Sequence, residues 1–165
     1  IANGPFRGTK ADIWEAGHRV PFFVRWPERI HAGSSSDETI THTDFFATAV
    51  SIAGGKIPNA KVAVQDSFDF SPLLFGNEKG WKRAPVIHHS GGAMFAIREG
   101  DWKLILGSGS GGREQPRGRR FERPYQLFNL KDDIGEQNDR YREFSDKARE
   151  LELKALEPMS SGSSR

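Results

Sequence analysis

The segment AMFAIREGDWKLILG, residues 93–107, predicts a β-hairpin. Two short apolar runs flank Glu99-Gly100, and a glycine at that place is typical of a tight turn between antiparallel strands. Two further apolar runs lie outside this hairpin, APVIHH at 84–89 and YQLFNL at 125–130. The pattern therefore predicts four short strands in this part of the chain.

A helix is predicted after the fourth strand. Apolar residues recur there at helical spacing, namely Tyr141, Phe144, Ala148, Leu151 and Ala155. Pro158 is expected to end this helix because proline has no N–H and clashes with the preceding turn. Four strands and a terminal helix together predict a small α+β subdomain, followed by a disordered tail rich in serine and glycine.

The first half of the chain has a different pattern. RVPFFVRW at 19–26 is rich in Val, Phe and Trp, which predicts a buried strand, and SPLLF at 71–75 predicts one helical turn. THTDFFATAVSIAGG at 41–55 predicts a helix with Thr41 or Thr43 as its N-cap. The apolar face of that helix is predicted to contain Phe45, Ala49 and Ile52.

Composition excludes several classes of function. The net charge of +2 over 165 residues gives no bulk electrostatic case for a nucleic-acid partner or an anionic membrane. Cysteine is absent, which excludes disulfides, thiolate metal sites and a cysteine nucleophile within the chain. No apolar run approaches the roughly 18 residues of a membrane span. The chain begins at Ile1 without a methionine, and we expect it to be part of a longer protein of undetermined oligomeric state.

A dense motif lies near the start of the chain. Residues 10–21, KADIWEAGHRVP, follow the pattern K-x-x-x-W-E-x-G-x-R-V-P. This pattern resembles a segment of the type I sulfatases, the arylsulfatase-like enzymes of the alkaline phosphatase superfamily. Four later segments resemble that family in the same order, and the last two resemble its bacterial polysaccharide sulfatases: FFVRWPERIHAG, THTDFFATAVSIAG, AMFAIREGDWKLILGSGSGG and YQLFNLKDDIGEQND.

The resemblance implies an α/β fold class and a division of the chain. Residues 1–84 would be the C-terminal portion of a large catalytic α/β domain of the alkaline phosphatase-like sulfatase fold. Residues 85–158 would be the small α+β C-terminal subdomain, with about four antiparallel strands and a terminal helix. Residues 159–165 are assigned to the tail.

The resemblance also assigns a catalytic role to Lys10, as a contact to the sulfate group. Cleavage of a sulfate ester spreads negative charge over the ester and non-bridging oxygens, and a fixed ammonium stabilises that charge. The alternative interpretation is a solvated lysine on a surface turn, which is the usual place of a lone lysine.

Three histidines are candidate substrate contacts. His18 lies within the motif, where a structural histidine is the alternative. His88 and His89 end a predicted strand, so their side chains point to opposite faces and only one of the two can face a given site. This geometry argues against a metal held by both, and no metal site is predicted. Glu15 and Arg19 are expected to pair with each other and to fix the turn that carries Lys10.

The loop from Gly107 to Arg123 contains five arginines and two glutamates. Arginine suits bidentate contact with sulfate or carboxylate, although a solvated surface loop is the alternative. Asp132, Asp133 and Glu136 do not have the spacing of a calcium-binding EF-hand, and a solvated turn is expected there.

The catalytic centre that the resemblance implies is not complete in this chain. Such enzymes use a formylglycine made from a C-x-P-x-R or S-x-P-x-R segment, and calcium held by oxygen ligands; both are expected upstream. The parent protein would be a sulfuric ester hydrolase, periplasmic or extracellular, acting on a sulfated carbohydrate or another sulfate ester, and this fragment alone would be inactive. Two alternatives stay open: a phosphoesterase or phosphonate hydrolase of the same superfamily, and a non-catalytic module that binds acidic glycans.

Overall fold

The computed structural model describes residues 3–59 and 63–161, which form two compact units. The first unit combines residues 3–20 with residues 85–161, and the second contains residues 21–84. The change of unit near residue 84 falls where the sequence pattern changes. The structure groups residues 3–20 with the sheet, however, so the assignment of residues 1–84 to one large domain stays a prediction about a longer protein.

The first unit is built on the predicted four-stranded sheet. The strands are β1 (Val86–His89), β2 (Phe95–Glu99), β3 (Trp102–Ile105) and β4 (Gln126–Asn129). They form an antiparallel meander in the order β1-β2-β3-β4. Glu99 pairs with Trp102, which confirms the hairpin across Gly100, where φ is +56°. Glycine adopts this left-handed conformation without steric cost.

The two faces of this sheet are covered by different parts of the chain. One face packs Ile97, Leu104 and Leu127 against Leu151 of the terminal helix α3 (Ser145–Ser161). The other face packs Ala96, Ile105 and Phe128 against Ile13 and Trp14 of the N-terminal segment, whose Glu15–Gly17 forms a 3₁₀ turn. Alternate residues of a strand face opposite sides, so each strand contributes to both layers.

Helix α3 differs from the prediction at both ends. It begins at Ser145, after a turn that contains Tyr141 and Phe144, and it continues past Pro158 to Ser161. The expectation that Pro158 ends the helix was therefore wrong, as was the disordered tail for residues 159–161; residues 162–165 lie outside the described part. Met159 packs against the core, and the Ser160 hydroxyl donates to the Glu157 carbonyl at 2.7 Å, which stabilises the final turn beyond the proline.

The second unit contains helix α1 (Asp44–Ile52) and the short helix α2 (Ser71–Leu74), both as predicted. Thr43 is the N-cap residue of α1, but its side chain makes no capping hydrogen bond. Asp44 instead reaches back and accepts the Thr41 N–H at 2.7 Å. The predicted apolar face was wrong, because the helix buries Asp44, Ala47 and Thr48 and leaves Phe45 63% exposed.

Hydrogen bonds explain which face of α1 is buried. The Asp44 carboxylate accepts the Phe68 N–H at 3.0 Å, and the Thr48 hydroxyl accepts the Phe70 N–H at 2.9 Å. These polar side chains tie the helix to the segment that leads into α2. Phe45 and Ile52 lie on the other side of the helix and are exposed.

The predicted strand at 19–26 is not formed, which corrects that prediction. The described residues provide no ladder partner for it, and Phe22, Phe23 and Val24 are exposed. A strand requires neighbouring backbone to satisfy its N–H and C=O groups, so an apolar, β-branched composition is not sufficient. No helix among the described residues is long and apolar enough to cross a membrane.

Candidate functional site

Lys10 lies at the tip of a tight turn in the N-terminal segment. The Asp12 N–H donates to the Thr9 carbonyl at 3.0 Å and closes the turn, while Ala11 adopts a positive φ of 84°. The Lys10 side chain is exposed, and no residue in 3–59 or 63–161 forms a hydrogen bond or an ion pair with it. Its ammonium group is therefore available to an anion from solution.

Asp12 fixes the base of this turn. Its carboxylate is fully buried and accepts three backbone N–H groups, from Thr9 at 2.8 Å, Arg113 at 2.6 Å and Glu114 at 3.1 Å. A buried charge costs several kcal/mol unless hydrogen bonds compensate for its lost hydration. Asp12 thus joins the Lys10 turn to the arginine-containing loop after β3, and the sequence analysis did not identify this role.

Backbone contacts hold the turn from two further directions. The Gly91 N–H donates to the Ala11 carbonyl at 2.8 Å, and the Ile13 N–H donates to the Ser110 carbonyl at 2.8 Å. A Cβ atom at Gly112 would overlap the Ala11 carbonyl oxygen, so this close approach requires glycine. The turn is therefore rigidly placed although its tip is exposed.

A buried ionic network lies beneath the turn. Lys103 of β3 is fully buried, and its ammonium lies 2.9 Å from Glu15 Oε1 and 2.8 Å from Glu136 Oε1. Glu15 also accepts a hydrogen bond from Arg19 Nε at 2.7 Å, which confirms the predicted pair. Glu136 Oε2 accepts the Glu15 N–H at 2.6 Å.

Glu136 corrects the expectation of a solvated turn at residues 132–136. Its side chain is fully buried, and its backbone has a positive φ of 51°, which is unfavourable for a residue with a side chain. The Lys103 ion pair and the hydrogen bond from the Arg7 guanidinium to the Glu136 carbonyl, at 2.8 Å, hold it there. The sequence signal for this network was Lys103 itself, a charged residue inside the apolar run WKLIL.

The network shifts the pKa values of its members in opposite directions. Burial raises the pKa of Glu15, but three basic residues more than compensate and lower the pKa to about 2. Lys103 acts through its charge and a hydrogen bond, Arg19 through a hydrogen bond and Arg98 through its charge. Burial raises the pKa of Glu136, and the neighbouring Glu15 charge adds to this although Lys103 opposes it. Glu15 is thus the ionised partner of Lys103 at neutral pH.

The candidate histidines are divided between the two faces of the sheet. His18 and His88 lie on the face covered by the N-terminal segment, and their rings meet edge to face with centroids 4.1 Å apart. His89 points to the other face, where its ring lies 5.7 Å from that of Phe95. The structure therefore brings His18 and His88 together and separates His89 from them.

Both paired histidines are neutral at physiological pH. Burial and the Lys103 charge lower the pKa of His18 to about 4, and the same two causes hold the pKa of His88 well below its ordinary value. His18 Nε2 and His88 Nδ1 are buried, and neither has a hydrogen-bond partner among the described residues.

The described residues do not fit a calcium site. Within 3–59 and 63–161, no three histidine or acidic side chains gather in a way that would hold a metal ion. Glu15 and Glu136 do lie together, but Lys103 already occupies the position between them.

Comparisons with known proteins agree with the resemblance in the sequence. The family model described as Sulfatase matches residues 1–55. Canis lupus familiaris arylsulfatase G is 32% identical over 81% of this chain and 28% of its own length. Homo sapiens steryl-sulfatase is 35% identical over 59% of this chain and 16% of its own length.

Solved structures extend the similarity to almost the whole chain. A structure from work on the metabolism of multiple glycosaminoglycans by Bacteroides thetaiotaomicron matches 98% of this chain with a TM-score of 0.77 and 26% identity. The crystal structure of Ps i-CgsB in complex with k-i-k-neocarrahexaose matches 96% with a TM-score of 0.72 and 26% identity.

The chain covers 32% of each of these two solved chains. It thus spans about a third of the solved neighbours and a smaller part of the curated relatives named above. The order of the matching motifs, the four-stranded sheet with its terminal helix and these similarities lead to one conclusion. The chain belongs to the sulfatase family and is similar to the C-terminal portion of a type I sulfatase.

Proposed function

We propose that this chain is part of a sulfuric ester hydrolase and that it supplies Lys10 to the sulfate group of the substrate. The observation that carries this proposal is an exposed lysine without a described partner, at the tip of a turn whose base is buried and fully hydrogen-bonded. An ordinary surface lysine does not require a buried, hydrogen-bonded turn to hold its backbone. A preorganised ammonium, by contrast, must be held in place before the reaction begins.

The proposed chemistry of Lys10 is electrostatic. Negative charge grows on the sulfate oxygens and on the departing ester oxygen as the S–O bond breaks. An ammonium at a fixed position stabilises that charge without reorganising, and the loss of one such group typically costs about 10²-fold or more in rate. Glu15, held by Lys103 and Arg19, keeps the segment after the turn in place.

The nucleophile of the proposed reaction lies outside this chain. Formylglycine, when present in a sulfatase, supplies the hydrate that attacks sulfur, and calcium is the expected metal of the longer protein. The sequence has no cysteine and no S-x-P-x-R segment. We therefore expect no turnover of an aryl sulfate by the 165-residue chain alone.

The proposed substrate class is a sulfated carbohydrate, encountered outside the cytoplasm. Support comes from the two solved neighbours, one from work on glycosaminoglycan metabolism and one bound to k-i-k-neocarrahexaose. Of the candidate histidines, His18 and His88 share the sheet face that carries the Lys10 segment and are the better candidates by position. His18 Nε2 and His88 Nδ1 are buried, so contact of these atoms with the sugar would require them to become accessible. His89 lies on the opposite face and is the weaker candidate.

The test is a substitution of Lys10 in the longer protein. We expect Lys10→Ala to reduce kcat/KM for an aryl sulfate by about 10²-fold or more. Lys131→Ala removes the same charge from another exposed turn of the same unit and serves as the matched control. Near-normal kinetics of the Lys10 variant, or an equal loss in the control, would remove Lys10 from the site.

A further inference from the structure

The loop after β3 is an ordered ribbon. Residues 107–111 run antiparallel to residues 116–120, with the Ser108 N–H donating to the Arg119 carbonyl at 3.1 Å and the Gly111 N–H donating to the Arg117 carbonyl at 2.8 Å. A Cβ atom at Gly118 would overlap the Ser108 carbonyl, so the two backbones meet in direct contact. We call residues 107–120 the arginine ribbon.

The arginine ribbon displays positive charge that described residues leave unpaired. Its four arginines are exposed, and none forms an ion pair within the described part of the chain: Arg113, Arg117, Arg119 and Arg120. Arg123, just beyond the ribbon, differs because it pairs with Glu152 at 2.6 Å. The ribbon carries one glutamate, Glu114, so its net charge is +3 from four arginines and one glutamate.

The ribbon is joined to the Lys10 turn within one unit. The Asp12 carboxylate at the base of the turn accepts the Arg113 and Glu114 N–H groups, and the Ser110 carbonyl accepts the Ile13 N–H at 2.8 Å. The Lys10 turn and the ribbon are therefore held in a fixed position relative to each other. Guanidinium groups recognise sulfate and carboxylate in a planar, bidentate way that suits anions on a chain of sugars.

We propose that the arginine ribbon binds the uncleaved sulfate or carboxylate groups of a polyanionic carbohydrate whose sulfate ester is held at Lys10. This inference rests on the proposed function, because the ribbon would bind the remaining charged groups of the substrate whose sulfate ester is held at Lys10. It predicts a preference for multiply charged carbohydrates over substrates with a single sulfate.

The experiment compares two double variants of the longer protein. Arg117→Gln/Arg119→Gln removes two charges from the ribbon, and Arg142→Gln/Arg149→Gln removes two from exposed positions near and on α3. The probe is a heparin oligosaccharide, titrated at several salt concentrations, and far-UV circular dichroism verifies that both variants are folded.

We expect the ribbon variant to bind heparin at least 10-fold more weakly, with a shallower dependence on salt because fewer charge contacts remain. The control variant should change less than 2-fold. Equal weakening in both variants, no change in either, or equal affinity of the unmodified protein for duplex DNA would overturn the inference.

Measurements of hydrolysis distinguish a failure of this inference from a failure of the proposed function. Heparin should inhibit hydrolysis of an aryl sulfate competitively, and the inhibition constant should rise at least 10-fold in the ribbon variant only. Absence of hydrolysis of both an aryl sulfate and a sulfated oligosaccharide would overturn the proposed function, while the heparin titration would still decide the role of the ribbon. Normal hydrolysis with unchanged heparin inhibition in the ribbon variant would overturn the ribbon alone.

Discussion

The two units of the chain differ in how completely they bury their apolar side chains. The sheet unit encloses Trp14, Ile97 and Leu127 at 1% exposure or less, between an N-terminal segment and a helix. Among the described residues 21–59 and 63–84 the fully enclosed apolar residues are few, and Phe23 is 92% exposed. The sheet unit therefore has a core of its own, whereas the stability of residues 21–84 depends on polar contacts such as those of Asp44.

This difference matters for the candidate site. Lys10, Asp12, Lys103 and the arginine ribbon all belong to the sheet unit, so the unit with the better core also holds the charged groups. A rigid support keeps a charge at a defined position, and that is the requirement for electrostatic stabilisation. Substitutions in the sheet unit should thus have far larger effects than substitutions at exposed apolar positions of residues 21–84.

The largest effect is expected at Lys103. Lys103→Ala leaves Glu15 and Glu136 buried without their shared cation, and such a change typically costs about 3–5 kcal/mol. Chemical denaturation of the 165-residue chain, followed by the fluorescence of Trp14 and the other tryptophans, measures the loss. Lys131→Ala, at an exposed lysine, should cost less than about 0.5 kcal/mol. A cost below about 1 kcal/mol at Lys103 would contradict a stabilising role for the network.

The second effect is a loss of stability in acid. His18 is neutral when folded because its pKa is lowered to about 4, so its contribution is complete above its ordinary pKa of 6.5 and is lost as the pH falls to 4. Burial, the Lys103 charge and, more weakly, His89 favour the neutral form, while the Glu15 charge and the hydrogen bond with the Asp12 backbone oppose it. Because part of the ring is exposed, solvent screening makes the resulting loss of unfolding free energy smaller than the full shift would give.

Glu15 extends this loss to lower pH. Its pKa is lowered to about 2, so its contribution is complete above 4.5 and is lost as the pH falls from 4.5 towards 2. Glu136 acts in the opposite sense, since its raised pKa makes protonation favourable in the folded state.

Unfolding free energies at pH 7, 5 and 4 measure the loss of stability that is assigned to His18, and His18→Gln should reduce that loss. His42→Gln, at an exposed histidine, is the control, and an equal pH dependence in both variants would contradict the assignment.

The sheet could be predicted from the sequence because the signals for its strands and its turn lie within short segments of the chain. The hairpin across Gly100, the four strands and helix α1 follow from turn residues and periodicity that a short window contains. The pair of Glu15 and Arg19 was also predicted, since the two residues are four positions apart.

The residues that hold the Lys10 turn in place depend on contacts between segments that are far apart in the sequence. Asp12 receives N–H groups from residues 101 and 102 positions away, and Lys103 reaches Glu15 across 88 positions. Composition and spacing do not specify such pairs, although a lysine inside an apolar strand indicates that a buried partner exists. The strand predicted at 19–26 failed for a related reason, because none of the described residues forms a ladder with this segment.

A third effect, of intermediate size, is expected at Asp12. Asp12→Ala removes the acceptor of three backbone N–H groups and leaves them without a partner. We expect this change to lower the unfolding free energy by about 2 kcal/mol. Asp12→Asn keeps one oxygen and should recover part of that loss. Unfolding free energies compare these variants, and an alanine variant as stable as the original chain would show that the carboxylate does not hold the turn.

The smallest effect is expected at Phe23, the most exposed large apolar residue named above. Phe23→Ser should change the unfolding free energy of the 165-residue chain by less than about 0.5 kcal/mol, because the ring is 92% exposed and loses almost no packing. Ile97→Ala, inside the sheet core, should cost about 2–5 kcal/mol and is the reference for a buried position. A large loss at Phe23 would mean that residues 21–26 are buried in solution. A small loss at both positions would mean that the sheet unit lacks the firm core on which the placement of Lys10 depends.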